Sequence, residues 1–77
     1  MNGSRLTRDQ IEEIVKADLQ KHYPEIEAME FTLIKIEERS NEWWVSVYIV
    51  PKYRRGRVVF YRLDAETGEI KEYRVVV

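Results

Sequence analysis

The sequence contains no cysteine, only one histidine, two prolines and three glycines among its 77 residues. Without thiols the chain forms no disulfide and no thiolate metal site, and a lone histidine cannot make a zinc site by itself. A domain this short buries only about 60% of its unfolded surface, so its stability depends on one packed core. Any functional site must therefore share residues with that core.

Neither charge sign dominates, since 13 Lys and Arg residues are balanced by 14 Asp and Glu residues. This balance argues against a dedicated polyanion binder, while 44% hydrophobic residues are too many for a disordered chain. The start, MNGSRLTRD, lacks the apolar segment of a signal peptide, and no apolar run approaches the roughly 18 residues of a membrane span. We expect one soluble domain over residues 1–77, consistent with cytoplasmic expression, with residues 1–5 as a disordered lead or tag remnant.

The common catalytic and cofactor motifs are also missing. The chain has no GxGxxG, P-loop or HExxH motif, and no serine or cysteine signature of a nucleophile. Adjacent carboxylates, such as Glu12 with Glu13, are typical of solvated faces rather than of acid–base pairs. The sequence therefore predicts no enzyme, no cofactor and no metal site.

The segment LTRDQIEEIVKADLQKHYPE carries most of the signals of a single helix. Thr7 and Gln10 have the spacing of a capping box, and Leu6 can pack on Ile11 as a hydrophobic staple. Pro24 marks the end of the helix, because proline cannot continue it. We therefore predict a helix over about residues 8–22. Its apolar stripe has the spacing of a helix that lies on a sheet and comprises Ile11, Ile14, Val15 and Leu19.

Asp18 and His22 fall inside this stripe and are four residues apart, so their side chains can meet. A carboxylate that orients an imidazole is the arrangement of a general base or of a metal site. Alternatively, the helix extends past its sheet here, and both side chains lie at a wet edge or bond a nearby Tyr, Trp or Arg. The missing nucleophile favours this alternative. The candidate pocket comprises Asp18, His22 and Trp43, of which Asp18 and His22 form the candidate polar pair.

From residue 29 onward the hydrophobic period changes to two, which indicates strands. In MEFTLIKIEE, Phe31 and Leu33 alternate in one phase. Ile34 and Ile36 alternate in the other phase. A bulge near Leu33 and Ile34 would bring both phases to one side and bend the strand. We expect Leu33 and Ile34 both to be largely shielded, with the sheet concave toward the helix.

A tight turn at residues 40–41 would join this strand to the next and pair Ile36 with Val45. The same register would pair Ile34 with Val47, and both pairs join apolar side chains.

The second strand, EWWVSVYIV, places Trp43 and Trp44 on opposite faces. The ring of Trp44 can cover the outer face, line a pocket or make a dimer contact. We therefore expect a monomer, or a homodimer through an exposed aromatic face. The core face of this strand comprises Trp43, Val45, Val47 and Ile49.

RVVFYRLD and IKEYRVVV are predicted to form the last two strands, joined by DAETGE, in which Gly68 stands where a positive φ is needed. Both strands have apolar residues in both phases, so the sequence pattern does not decide which of their faces packs against the core. One alternative comprises Val58, Phe60, Tyr73 and Val75, and the other comprises Val59, Tyr61, Leu63 and Ile70.

KYRRGR, residues 52–57, concentrates positive charge in a chain whose net charge is −1. Arg and Lys neutralise phosphates and Tyr53 could stack on a base. Alternatively, these charges mark a hairpin tip and keep strand edges from pairing with other chains. No RNA-binding signature accompanies the segment, which favours the hairpin tip and argues against nucleic acid as a partner. The candidate anion-binding patch comprises Lys52, Arg54, Arg55 and Arg57.

Together these elements predict an α+β domain, in which one N-terminal helix packs on a four-stranded, bulged and curved antiparallel meander. This arrangement is cystatin-like. The first hairpin has ERSNEW where the cystatin protease inhibitors have Gln-Val-Val-Ala-Gly, so protease inhibition is not implied.

The helix segment LTRDQIEEIVKADLQ, followed by strands and the hairpin YRLDAETGEIKEY, resembles a PepSY-type domain. The last hairpin of that family commonly consists of an aspartate, a short turn with Thr-Gly and a return strand. The resemblance covers nearly the whole chain. It implies a peptidase-regulating or ligand-sensing module, usually exported.

The sequence also resembles de novo designed proteins with curved sheets. A capped and stapled helix, tight turns, a bulge that bends a strand and the lack of cysteine all agree with one fold. This resemblance implies a scaffold without natural biochemical activity, whose purpose is its fold, with room for a cavity under the sheet. The alternatives are a PepSY- or cystatin-like binding or peptidase-regulating module and a weak nucleic-acid binder.

Overall fold

The computed structural model describes residues 5–24, 30–50 and 55–77. Most of the predicted lead, residues 1–4, lies outside these ranges. The strands form one antiparallel sheet in sequential order, and the helix packs on one of its faces, as the sequence predicts. The elements are α1 (Arg8–His22), β1 (Glu30–Arg39), β2 (Glu42–Val50), β3 (Arg57–Asp64) and β4 (Ile70–Val75).

α1 spans the residues that its sequence signals predict. The side chain of Thr7 accepts a hydrogen bond from the backbone N–H of Gln10, and the side chain of Gln10 accepts one from the backbone N–H of Thr7. The predicted capping box is therefore formed, and it satisfies two N–H groups that lack partners within the helix. At the other end the N–H of Tyr23 donates to the carbonyl of Leu19, just before Pro24.

The core lies between α1 and the inner face of the sheet. Of the two alternatives for the last strands, the structure places Val59, Tyr61 and Leu63 inside. Because Tyr61 is large and fully buried, it contributes more apolar area than its aliphatic neighbours. The buried core comprises Ile11, Val15, Leu19, Tyr23, Val45, Val47, Ile49, Val59, Tyr61 and Leu63.

β1 contains a bulge where its two hydrophobic phases meet. The register with β2 shifts between Leu33 and Lys35, so Ile34 is the extra residue. The bulge predicted near Leu33 and Ile34 is confirmed, and so is the pairing of Ile36 with Val45. An extra residue in one strand reverses the alternation that follows it. Leu33 and Ile36 consequently both pack against the core.

The expected burial of Ile34 is wrong. Leu33, and not Ile34, is the partner of Val47, and Ile34 is 53% exposed. The extra residue of a bulge has no partner across the ladder, so its side chain is free to leave the inner face. The bulge reconciles the two phases by expelling one residue rather than by burying both.

β4 contains a second bulge, which the sequence analysis did not predict. The register shifts opposite Arg62 and Leu63, where Lys71 is the extra residue of β4. Ile70 and Tyr73 are three positions apart, yet the bulge lets both pack against the core. The inner face of β4 thus combines one residue from each of the two alternatives.

The turn between β1 and β2 has the predicted position. Ser40 and Asn41 have φ values of 48° and 66° and connect Arg39 with Glu42, its partner across the ladder. Two successive positive φ angles in a two-residue loop are characteristic of a type I′ hairpin, whose twist matches that of the strands.

The β3–β4 loop is organised by Asp64. Its Oδ1 accepts hydrogen bonds of 2.8 and 2.9 Å from the backbone N–H groups of Glu66 and Thr67. These two bonds, with Thr67 as the larger contributor, hold the pKa of Asp64 below its ordinary value. Gly68 follows with a φ of 77°, as predicted. The N–H of Leu6 donates to the carbonyl of Ala65 at 2.8 Å, which joins the segment just before α1 to this loop.

Candidate functional site

Asp18 and His22 lie on the last turns of α1 and contact each other, as their spacing predicts. The Nε2 atom of His22 is 3.2 Å from Oδ2 of Asp18. The same Oδ2 accepts a hydrogen bond of 2.7 Å from the hydroxyl of Tyr61. One carboxylate oxygen therefore contacts polar groups from two different elements, the helix and β3.

Tyr61 connects this pair to the sheet. It lies in the middle of β3 and is fully buried, and its partner across the ladder is Tyr73 on β4. The hydroxyl of a buried tyrosine requires a hydrogen-bond partner, because an unpaired polar group away from water is costly. Asp18 provides that partner, since it follows Val15 by three residues and so lies over the same face of α1.

Tyr73 completes the group on the side of β4. Its ring stacks on the imidazole of His22, with centroids 4.0 Å apart and an interplanar angle of 3°. It also contacts the ring of Tyr61, with centroids 5.3 Å apart. Asp18, His22, Tyr61 and Tyr73 are called the Asp18 cluster below.

The two phenols of the Asp18 cluster are held in their neutral form. Burial, followed by the hydrogen bond to Asp18 and its charge, raises the pKa of Tyr61 far above its ordinary value. Burial and the neighbouring Tyr23 raise the pKa of Tyr73 to about 12. Both groups are therefore protonated at neutral pH, so Tyr61 acts as a hydrogen-bond donor and not as a base.

The contacts of the Asp18 cluster are better suited to holding α1 against the sheet than to proton transfer. A general base needs a lone pair directed at a substrate, with a nucleophile or water within about 3 Å. The Oδ2 atom of Asp18 is instead directed at Tyr61 and His22, and one face of the imidazole is covered by Tyr73. Within the described ranges no three His, Asp or Glu side chains are placed to hold a metal ion.

Trp43, the third residue of the candidate pocket, lies elsewhere in the sheet. Its ladder partners are Glu38 and Leu63, and its ring packs against the core. Among the described residues, no hydrogen bond or ring contact joins it to Asp18 or His22. Its indole nitrogen is buried and has no hydrogen-bond partner among the residues that the structure describes. The structure thus brings together two of the three candidates.

The alternative in which the pair bonds a nearby Tyr, Trp or Arg is confirmed by the hydrogen bond from Tyr61 to Asp18, but sequence reasoning did not identify Tyr61 or Tyr73 as the partners. A signal for Tyr61 exists, because it alternates with Val59 and Leu63 and so shares their face. For Tyr73 the alternation is misleading, since the bulge at Lys71 changes the phase within β4.

Three of the four residues of the predicted anion-binding patch fall between β2 and β3 in the sequence, and the fourth, Arg57, is the first residue of β3. Lys52 and Arg54 lie outside the described residues. Arg55 is exposed, whereas Arg57 is half-buried and is the ladder partner of Ile49. The structure therefore describes two of the four cations, and one of these belongs to the sheet.

The outer face of the sheet carries aromatic rings that are covered by arginines. Trp44 and Phe60 meet edge to face, with centroids 5.8 Å apart. The guanidinium of Arg39 lies 5.0 Å from the Trp44 ring, and that of Arg74 lies 5.5 Å from the Phe60 ring. Such cation–π contacts shield the rings from water on the face that lacks a helix.

Charges on the same face are paired within the chain. Oε2 of Glu42 accepts hydrogen bonds from Arg62 at 2.9 Å and from Lys71 at 3.2 Å. Burial raises the pKa of Glu42, but the bonds from Lys71 and Trp44 and the charge of Arg62 outweigh it, so the pKa lies below its ordinary value. Arg62 also bonds Glu72 at 3.3 Å. The network leaves little net charge on this face to attract a polyanion.

Two open depressions lie along the solvent side of α1 and include Asp9, Glu13 and Ala17 in their linings. Neither includes a residue of the Asp18 cluster or Trp43. The candidate residues thus do not line these depressions.

Comparisons of the chain with protein-family models, with curated proteins and with solved structures gave no match. The resemblances to PepSY-type domains, to cystatins and to designed proteins therefore stay predictions. In the part of the chain that the structure describes, no helix combines the length and apolar character needed to cross a bilayer.

Proposed function

We propose that this chain is a scaffold domain without enzymatic activity, whose purpose is its fold. The observation that supports this function best is the use of the Asp18 cluster in packing. Asp18 receives the hydroxyl of the buried Tyr61, and His22 stacks on Tyr73, so the one carboxylate–imidazole pair joins α1 to β3 and β4. Groups with internal partners of this kind stabilise a fold and are poorly placed to bind a substrate.

Agreement between local signals and the fold supports the same proposal. The capping box at Thr7, the two-residue turn at Ser40 and Asn41, and the positive φ of Gly68 each occur where the sequence predicts them. A chain whose local preferences all favour one fold has few competing compact states.

Thermal unfolding in the presence of a chelator tests the scaffold proposal. The purified chain should unfold cooperatively with a midpoint above about 65 °C, the upper end of the range of mesophile domains. Circular dichroism with and without EDTA measures this midpoint. A midpoint below about 50 °C, or one that falls when metal is removed, contradicts the proposal.

A peptidase-regulating or ligand-sensing module, as in PepSY-type domains, is the second candidate function. The observation that favours it is exposed apolar surface away from the helix, where Tyr48 is 41% exposed and the bulged residue Ile34 is 53% exposed. Inhibition assays against representative cysteine and metallopeptidases separate the two functions. Stoichiometric inhibition that is lost in a Tyr48→Ala variant would favour the module over the scaffold.

Nucleic-acid binding through residues 52–57 is the weakest alternative. If this segment is only a hairpin tip, a single-stranded oligonucleotide should bind no tighter than roughly 10⁻⁴ M, the weak end of non-specific affinity. Fluorescence anisotropy at physiological salt measures this affinity. Micromolar binding that disappears in the double variant Arg54→Ala and Arg55→Ala would establish the alternative.

A further inference from the structure

The two edges of the sheet differ in how well they could accept another strand. β1 is interrupted in its middle by the bulge at Ile34, a common protection against edge pairing. The bulge of β4 lies at Lys71, next to its first residue, and its ladder from Glu72 to Val75 is regular. Within the described ranges β4 pairs with β3 alone. β4 is therefore the better template for an additional strand.

The hydrogen-bond phase of β4 shows which backbone groups are free. The N–H of Val76 donates to the carbonyl of Val58 at 2.7 Å. Hydrogen-bonded and non-hydrogen-bonded pairs alternate in an antiparallel ladder. Residues 72 and 74 therefore direct their N–H and C=O groups toward β3, while Tyr73 and Val75 direct theirs away from the sheet.

The neighbouring ladder gives the same phase independently. The N–H of Ala65 donates to the carbonyl of Asn41 at 3.0 Å, which makes the odd-numbered residues of β3 the hydrogen-bonded partners of β2. The even-numbered residues of β3, such as Phe60, must then bond β4. Phe60 is the ladder partner of Arg74, as the first assignment requires.

The side chains of β4 are complementary to a second copy of themselves. If two β4 strands pair antiparallel about a twofold axis at Tyr73, Glu72 of each copy lies opposite Arg74 of the other. Oppositely charged side chains that face each other across a ladder stabilise the pairing. Arg74 is exposed, and its contacts within the chain are long: its Nε lies 3.7 Å from Oε2 of Glu72 and its guanidinium 5.5 Å from the Phe60 ring. Pairing of two β4 strands would replace this intrachain ion pair by one across the ladder. Val75 is 37% exposed. At the axis itself, the N–H and C=O of Tyr73 would bond those of its counterpart.

We propose that a second copy of this chain pairs with the free edge of β4, antiparallel and centred on Tyr73, to form a continuous eight-stranded sheet. Such an interface is isologous, since each copy contributes the same strand. It uses the edge of the sheet and, apart from the exchange of partners at Glu72 and Arg74, leaves the outer aromatic face unchanged, where Arg39 covers Trp44 and Arg62 pairs with Glu42. The proposal is independent of the scaffold function.

Sedimentation velocity of the wild-type chain over about a hundredfold range of concentration tests the association, because mass action favours dimers at high concentration. Arg74→Glu places two acidic residues opposite each other at both symmetric positions, and Glu72→Arg places two basic residues there. Each single variant should dimerise about tenfold or more weakly than the wild type. An equimolar mixture of the two variants should form heterodimers, because all cross-strand pairs are then of opposite charge.

A backbone test separates the edge of β4 from its side chains. Val75→Pro removes an N–H that points to the free edge, so it should weaken the dimer and leave the monomer folded. Val76→Pro is the matched control, since it removes the N–H that bonds Val58 and should lower the melting temperature of the monomer. Circular dichroism of each variant establishes that the monomer is folded.

The proposal is overturned if the wild type is a monomer at every concentration. It is equally overturned if the dimer tolerates both single charge reversals, or if the mixed variants associate no better than either alone. A dimer that is lost in Tyr48→Ala and kept in Arg74→Glu would instead place the interface on the outer aromatic face, which also refutes the pairing of β4.

Discussion

The hydroxyl of Tyr61 donates a hydrogen bond of 2.7 Å to Oδ2 of Asp18, a residue 43 positions earlier in the chain. The bond joins the centre of β3 to the last turns of α1. The bond satisfies the buried hydroxyl of Tyr61. It also explains why a carboxylate lies on the apolar stripe of the helix.

Tyr61→Phe should lower the free energy of unfolding by about 1–2 kcal/mol, because it removes a hydrogen bond to a charged acceptor while it keeps the ring. Urea denaturation measures the change, and Tyr48→Phe on the outer face is the control. A double-mutant cycle with Asp18→Ala, which removes the acceptor, should give a coupling energy near the full effect. Equal stabilities of the Tyr61 and Tyr48 variants would show that the bond contributes nothing.

Stability should be constant between about pH 8 and pH 10 and then fall as the pH rises toward 12. Tyr61 and Tyr73 have pKa values in the folded state above the ordinary value of 10.0, so the fold favours their neutral forms. Their contribution is complete below the unfolded pKa and is lost as the pH rises through the folded pKa. Urea midpoints from pH 8 to 12 measure the decline. Replacement of both residues by Phe should make it shallower, and an unchanged slope would contradict the prediction.

Gly68→Ala should destabilise the fold by about 1–2 kcal/mol, the cost of a left-handed backbone for a residue with a Cβ. The φ of Gly68 is 77°, and an added Cβ would lie 2.7 Å from Cδ1 of Ile14 and 2.8 Å from Cδ1 of Leu6. Gly56→Ala is the matched control, since Gly56 has no positive φ and the nearest neighbours of its Cβ would be the hydroxyl end of the Tyr48 ring, which is 41% exposed and can move. Thermal melts compare the two variants, and an equal loss would refute the special role of Gly68.

Ile34→Ala should change the free energy of unfolding by less than about 0.5 kcal/mol, as expected for an exposed position. Leu33→Ala should cost about 2 kcal/mol, because this neighbour packs against the core. Chemical denaturation of both variants measures the difference. A larger loss at Ile34 than at Leu33 would show that the bulge has the opposite orientation.

Sequence patterns predicted the features that depend on neighbouring residues. The helix over residues 8–22, its capping box and the turn at residues 40–41 depend on contacts within a few positions of the chain. The meeting of Asp18 and His22 follows in the same way from one helical turn.

Two conflicting hydrophobic phases in β1 sufficed to predict a bulge, but not which residue it would expel. That choice depends on the partner strand, since Val47 pairs with Leu33 and leaves no place for Ile34. The comparable bulge at Lys71 was not predicted, because the last strands have apolar residues in both phases and either phase could face the core.

The sequence by itself determined the bounds of the helix and the approximate bounds of the strands, because capping, turn geometry and hydrophobic period act over a few residues. Only the tertiary structure decided which face of β3 and β4 is buried and which side chains complete the Asp18 cluster. Tyr61 and Tyr73 reach α1 through the packing of the sheet against the helix, and such contacts depend on register and on bulges that no local pattern encodes.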